Sequence, residues 1–169
     1  ALCLDLDKLE GNIKSMQSRL QGTGVAARPH GKSHKCPAIA KMQIAAGAIG
    51  LCAAKLSESE IFLNNGISNV LMTGVNITAP KIKHAMELRK KYPGFIQAVD
   101  NPQNARDLQD AAKAAGVTAD VVVDIDVIKR SGVLAGDPAL ALAQLVDKSR
   151  NLKFRGILAY DGGVQHVKG

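Results

Sequence analysis

The sequence predicts an α/β fold built on a parallel sheet, either open and doubly wound or curling into a (β/α)₈ barrel. Short valine- and isoleucine-rich stretches alternate with helical ones, as buried parallel strands and their crossovers do. Strand starts fall near positions 25, 49, 70, 95, 120 and 154, a spacing of about 25 residues that suits βα units. No G-x-G-x-x-G follows any strand, which weakens the dinucleotide-binding version of the open sheet. Six units are counted where a barrel needs eight, so a barrel here is a partial one.

The elements follow in order. Leu6, Leu9, Ile13, Met16 and Leu20 recur at spacings of three and four, predicting a helix from about Asp5 to Gln21. Val25 to Arg28 reads as the first strand, Pro37 to Ala46 as a helix stopped by Gly47, and Ile49 to Ala53 as the second strand. Ser57 and Glu60 stand at capping-box spacing and open a helix ending at Gly66. Asn69 to Thr73 is strand-like, Thr78 caps a helix to about Lys91, and Gly94 to Val99 is strand-like again. Asn101-Pro102 and Asp137-Pro138 both read as a capping side chain followed by the ring that fits the first helical position; their helices reach about Ala115 and Arg150. Strands are predicted over Asp120 to Asp126 and Phe154 to Ala159.

Composition narrows the function classes. A chain of 169 residues, 46% hydrophobic and 22% charged, can bury a core as one domain over positions 1–169. The net charge of +7 invites a nucleic-acid partner, yet Lys and Arg are scattered from Lys8 to Lys168, aromatics are 3% and tryptophan is absent. A small anionic ligand such as a phosphate ester is the simpler expectation. No apolar run approaches the roughly 18 residues that span a bilayer, and the first residues lack the basic start of a targeting signal. Three unclustered cysteines, Cys3, Cys36 and Cys52, point to a reducing compartment, the cytoplasm.

In parallel α/β folds chemistry gathers at the C-terminal ends of strands. The first strand delivers His30, Lys32 and His34, the second Lys55 and Ser57, the fifth Asp124, Asp126 and Arg130, and the sixth Tyr160, Asp161 and His166. Within Arg28-Pro29-His30-Gly31-Lys32-Ser33-His34-Lys35, the charges of Arg28 and Lys35 favour a neutral Lys32 amine, able to hold an aldehyde cofactor as a Schiff base. The same stretch also reads as a solvated basic loop. His30 and His34 form an incomplete metal set and suit the orientation of Lys32 better. Asp124 and Asp126 face one side of their strand; a salt bridge to Lys129 or Arg130 is the default expectation, a cation or a structural carboxylate the others.

Taken in order, these stretches resemble the D-threonine aldolase and D-serine dehydratase group, related to the N-terminal barrel of alanine racemase. The resemblance runs through Leu4-Asp5-Leu6-Asp7, Arg28 to Pro37, Lys55-Leu56-Ser57-Glu58, Val99-Asp100-Asn101, Arg130-Ser131-Gly132-Val133 and Gly156 to His166, where it favours D-threonine and D-3-hydroxyaspartate aldolases. It implies a pyridoxal-phosphate barrel in which Lys32 carries the cofactor, Arg130 contacts its phenolic oxygen, Tyr160 lies by its ring or phosphate, and His166 takes the proton from the substrate β-hydroxyl.

The implied reaction cleaves D-threonine or other D-3-hydroxy amino acids to glycine and an aldehyde. A D-serine or D-3-hydroxyaspartate dehydratase, a racemase, and a non-catalytic cofactor-binding protein stand as alternatives, with homodimerisation open. The resemblance also implies a divalent metal of the Mn, Mg or Co type. Its ligands, the phosphate-binding turn and a second, β-rich domain are expected beyond this chain. The chain departs from the group in the loop Asp126 to Arg130, one residue shorter and without its usual glycine, in Asp161, where histidine is common, and in Ala54, where glutamine is common.

Overall fold

The computed structural model describes residues 3–167, so the outermost two positions at each end of the expected 1–169 domain lie outside the description. It contains helices α1 (Leu6–Leu20), α2 (Pro37–Ala45), α3 (Leu56–Asn64), α4 (Ala79–Lys91), α5 (Pro102–Ala115) and α6 (Asp137–Lys148). The strands are β1 (Leu51–Ala53), β2 (Val70–Val75), β3 (Phe95–Val99), β4 (Ala119–Asp126), β5 (Val133–Leu134) and β6 (Leu152–Ala159), and a 3₁₀ turn covers Val164–His166.

Every strand pairing is parallel. The strands pair in sequence order from β1 to β4, β6 lies against β4 from Ala119 to Ile125, and β5 pairs with the last two residues of β4. The two sheet faces decide between the two predicted architectures. Leu51, Val70, Met72, Phe95, Val99, Val121 and Val123 point to one face and share a core with Ala40 of α2, Phe62 and Leu63 of α3, Met86 of α4, Leu108 of α5 and Leu142 of α6. Leu71, Ile96, Ala98 and Val122 alternate with them and make a separate cluster that holds no helical residue. Helices on one face only, with strands in sequential order, are the mark of a curling barrel; a doubly wound sheet is covered on both faces. The chain is a partial (β/α)₈ barrel.

Several expected boundaries shift. The first strand is displaced: Val25 is exposed, and pairing with β1 starts at Ala27, whose carbonyl accepts from Ile49 N–H at 3.0 Å. It continues through Pro29 O to Cys52 N (2.7 Å) and Cys52 O to Gly31 N (2.7 Å), leaving one bridge, His30 to Cys52. Pro29 has no N–H, so a regular ladder cannot form across it. α3 begins at Leu56, ahead of the predicted capping box, with Lys55 at its N-cap; Glu58, not Glu60, reaches back, accepting Ala54 N–H at 2.9 Å. Asp137 lies inside the first turn of α6 behind Gly136, whereas Asn101 caps α5 as expected, accepting Asn104 N–H at 2.9 Å. β5 and the closing 3₁₀ turn have no counterpart in the sequence prediction. α1 forms with Asp5 at its N-cap, and its apolar stripe is not buried among the described residues.

His84 on α4 stands 3.1 Å from Glu60 of α3 and 3.2 Å from Glu87 on its own helix. Hydrogen bonds to Glu60 and then Glu87 raise its pKa above the ordinary 6.5. A raised value in the fold means that this contact is fully stabilising below the unfolded pKa and is lost as pH rises through the folded one. Because His84 is partly exposed, its share is expected to be under about 1 kcal/mol. His84→Gln is expected to lower the melting temperature at mildly acidic pH and to converge with the parent above neutrality, read by thermal melts across that range.

Candidate active site

At the C-terminal ends of the strands, the turn after His30 lifts Lys32 over the barrel mouth. The turn has no room to sink. A Cβ on Gly31 would lie 2.6 Å from the Phe62 ring and 2.9 Å from Leu51 Cδ2, so only glycine lets the backbone rest on α3 and β1. His30 fixes the entry. Its Nδ1 accepts Lys32 N–H at 3.3 Å, which leaves the proton of the neutral ring on Nε2 for Thr73 Oγ1, also at 3.3 Å; that hydroxyl donates to Ala53 O at 3.2 Å. Burial, followed by the charge of Lys32, lowers the His30 pKa, against an opposing pull from Glu58. His34 Nδ1 accepts Cys36 N–H at 3.0 Å, and burial lowers its pKa too. Both histidines orient the turn, as expected.

Tyr160, just past β6, is the meeting point of the site. Lys32 Nζ lies 5.9 Å from the centre of its ring and the Arg130 guanidinium 4.9 Å, so two cations far apart in the sequence meet at one aromatic ring. Arg130 is held by its own turn: its N–H donates to Asp126 Oδ1 at 3.1 Å, and Ser131 Oγ donates to Asp124 Oδ2 at 3.3 Å. Lys129 takes a left-handed φ of 57° in this loop, a conformation that glycine adopts without cost. Gly132, at φ 104°, packs so closely that a Cβ would sit 2.5 Å from the Ile125 carbonyl carbon. Burial raises the pKa of Asp124; the Ser131 hydrogen bond and Arg130 counter it, while Asp100 and Asp126 reinforce it.

Two expectations about charge are corrected. Arg28 does not approach Lys32: it donates to Asn69 Oδ1 at 2.8 Å, beside the start of β2 and hence at the opposite end of the barrel. Lys35 is engaged by Glu58, with Nζ 2.7 Å from Oε1. The cation that shares the surroundings of Lys32 is Arg130, through the tyrosine ring. Nor do Asp124 and Asp126 form the default salt bridge with Lys129 or Arg130; they accept a hydroxyl and a backbone amide instead, because the short loop turns its N–H groups back toward β4.

His166 lies in the 3₁₀ turn beyond Tyr160, its amide donating to Gly163 O at 2.9 Å, and Asp161 Oδ1 accepts Gly163 N–H at 2.8 Å. Lys55 and Ser57 line a separate cavity of about 490 Å³ with Lys81 and His84, which Lys32, Arg130 and Tyr160 do not border. Among the described residues no three His, Cys, Asp or Glu side chains converge as a metal site. No helix is long and apolar enough to cross a membrane, again among the described residues. Glu58 is the functional candidate that sequence reasoning missed. Its place at the end of the stretch Lys55 to Glu58 that carries the resemblance, in the first turn of a helix, gives no role, and Lys35 is far from it in sequence.

Residues 4–166 match the alanine racemase N-terminal domain. The chain is 37% identical to 3-hydroxy-D-aspartate aldolase of Paracoccus denitrificans (strain Pd 1222), over 98% of this chain and 43% of that protein. It is 37% identical to a D-threonine aldolase of Arthrobacter sp, over 99% of this chain and 44% of that protein. The crystal structure of D-threonine aldolase from Filomicrobium marinum superposes with a TM-score of 0.95 at 42% identity, covering 99% of this chain and 46% of that one. The chain therefore spans less than half the length of the relatives it matches. With a one-sided parallel barrel, a lysine raised over its mouth and a match along nearly all of its length, the chain belongs to the alanine racemase N-terminal domain family.

Proposed function

We propose that this chain is the barrel portion of a pyridoxal-phosphate enzyme that cleaves D-threonine or a related D-3-hydroxy amino acid to glycine and an aldehyde. The observation that carries this reading is Lys32 and Arg130 gathered on the face of Tyr160 at the C-terminal barrel mouth. The residues fit such a cofactor. Among the described residues no carboxylate pairs with the Lys32 amine, and a guanidinium lies against the same partly exposed tyrosine ring. When bound, pyridoxal phosphate supplies the electron sink for the pair released as the Cα–Cβ bond breaks.

The chain's own residues do the rest. Lys32 would hold the cofactor through its amine, with Arg130 at its phenolic oxygen and Tyr160 by its ring or phosphate. His166, in the turn just past Tyr160, is the base proposed to remove the β-hydroxyl proton. The described residues assemble no ligand set for a divalent cation. A small-molecule substrate and a cytoplasmic setting complete the reading.

The test is twofold. Borohydride treatment with pyridoxal phosphate, followed by peptide mass spectrometry, is expected to place the label on Lys32; labelling spread evenly over surface lysines sinks the cofactor reading. With D-threonine and a divalent metal, the longer protein is expected to release glycine and acetaldehyde. A keto acid with ammonia replaces the aldolase by a dehydratase.

Tyr160 supplies a further expectation. Tyr160→Ala removes the surface shared by both cations and is expected to weaken pyridoxal-phosphate binding by about tenfold, while Tyr160→Phe keeps the ring and most of the affinity. Equilibrium titration of the cofactor measures both.

A further inference from the structure

The two ends of the Lys32 turn are tied to neighbouring residues at the end of β1. The chain from His30 through Thr73 ends on Ala53 O. From the other end, Lys35 Nζ reaches Glu58 Oε1 at 2.7 Å, and Glu58 Oε2 accepts Ala54 N–H at 2.9 Å. Ala53 and Ala54 are consecutive at the C-terminal end of β1, so the turn carrying Lys32 is clamped to one point of the barrel rim. The glutamate side of this clamp is the unusual one. The Glu58 side chain is 10% exposed while that of Lys35 is 61% exposed, so a sheltered carboxylate is reaching for a surface lysine. Lys35 meanwhile holds a left-handed φ of 51°, a conformation that non-glycine residues adopt when their surroundings impose it. Its N–H closes the turn on Gly31 O at 2.7 Å.

We propose that Glu58 is a positioning residue for Lys32. It acts through Lys35, locking residues 31–35 in the one turn that stands the Lys32 amine at the barrel mouth beside Tyr160. Burial alone would raise the Glu58 pKa, but the Lys35 and Ala54 hydrogen bonds and the charges of Lys35 and Lys55 bring it below the ordinary carboxylate value. The carboxylate is therefore charged throughout the neutral range, and the clamp stays closed. The inference rests on the cofactor-holding role of Lys32 proposed above, and the following test separates the two.

Pyridoxal phosphate fixed by borohydride is counted at Lys32 and, in the same sample, at the exposed reference lysine Lys90. Amide hydrogen exchange of residues 31–36 and of Ala54 is followed without cofactor. Glu58→Gln removes the charge that draws the Lys35 ammonium, and its amide oxygen can stay on Ala54 N–H while the NH₂ faces Lys35. Lys35→Met keeps the stem and loses the charge. Each is expected to cut the Lys32-to-Lys90 ratio about tenfold, the scale on which a displaced reacting group loses rate, and to speed exchange in the turn. The double variant is expected to add nothing to either single one, because both break one contact. Lys35→Arg keeps the ion pair and is expected to restore the ratio. A parental ratio near one overturns the cofactor reading and leaves exchange to judge the clamp. A high parental ratio, unchanged in Glu58→Gln and Lys35→Met with exchange unaltered, overturns the positioning role. So does faster exchange spread over the whole chain, which marks a general loss of stability.

Discussion

Replacing Lys32 by alanine is expected to abolish cofactor fixation and, on the aldolase reading proposed above, to lower D-threonine cleavage by at least about 10³-fold, as losing a group that works as part of a catalytic unit does. The fold is expected to stay intact. Lys32 is exposed, has no ion pair among the described residues, and contributes only a long-range contact to the Tyr160 ring, so its melting temperature should match the parent's. Lys32→Arg is the sharper control. It keeps a cation on the tyrosine face but offers no amine to an aldehyde, and fixation is expected to fail as completely as in Lys32→Ala. Fixation retained by Lys32→Arg would assign the nucleophile to another lysine and end the proposed role.

The largest expected effect on stability lies beneath that turn. Phe62 is 1% exposed and fills the space between α3, β1 and Gly31, with its ring edge-on to His34 at 6.3 Å. Phe62→Ala removes the whole buried ring and leaves a cavity, at an expected cost of about 3–5 kcal/mol, a large part of what a domain of this size holds. Urea unfolding reads the loss. Because the Phe62 ring also forms the floor under Gly31, exchange in residues 31–36 is expected to accelerate more than exchange in α5 and α6. Equal acceleration everywhere would mean that the floor does not support the turn.

The sequence and the structure agree where a pattern is local and repeated. The βα rhythm, the Asn101 cap and the stripe of α1 are all of this kind, since each depends on neighbours within a turn or two. Agreement weakens where the outcome depends on distant partners. The first strand slid toward Gly31 because Pro29 withholds an N–H and β1 decides which carbonyls are met, information that Val25 to Arg28 do not contain. Arg28 was read as a neighbour of Lys32 from adjacency alone, yet Asn69 takes its guanidinium to the other end of the barrel. The resemblance groups Tyr160 with Lys32 and Arg130 about a cofactor, but that both cations meet at its ring follows only from the sheet, which brings β6 beside β4 and the Arg130 loop near it. The Lys35–Glu58 pair was illegible for the same reason, since contacts at long sequence separation are specified by topology and not by local composition.

The strand order has a consequence for behaviour in solution. Among the described residues nothing pairs with the outer edge of β6, which presents unfilled N–H and C=O groups along Leu152–Ala159. Such an edge is a template for another chain unless charge blunts it. Lys153 and Arg155 do so over the first half, whereas Ile157 to Ala159 carry no charge and Ile157 is half exposed. Neutralising both side chains is expected to make the 169-residue chain, taken by itself, self-associate by adding strands at the border that carries Tyr160, read by light scattering.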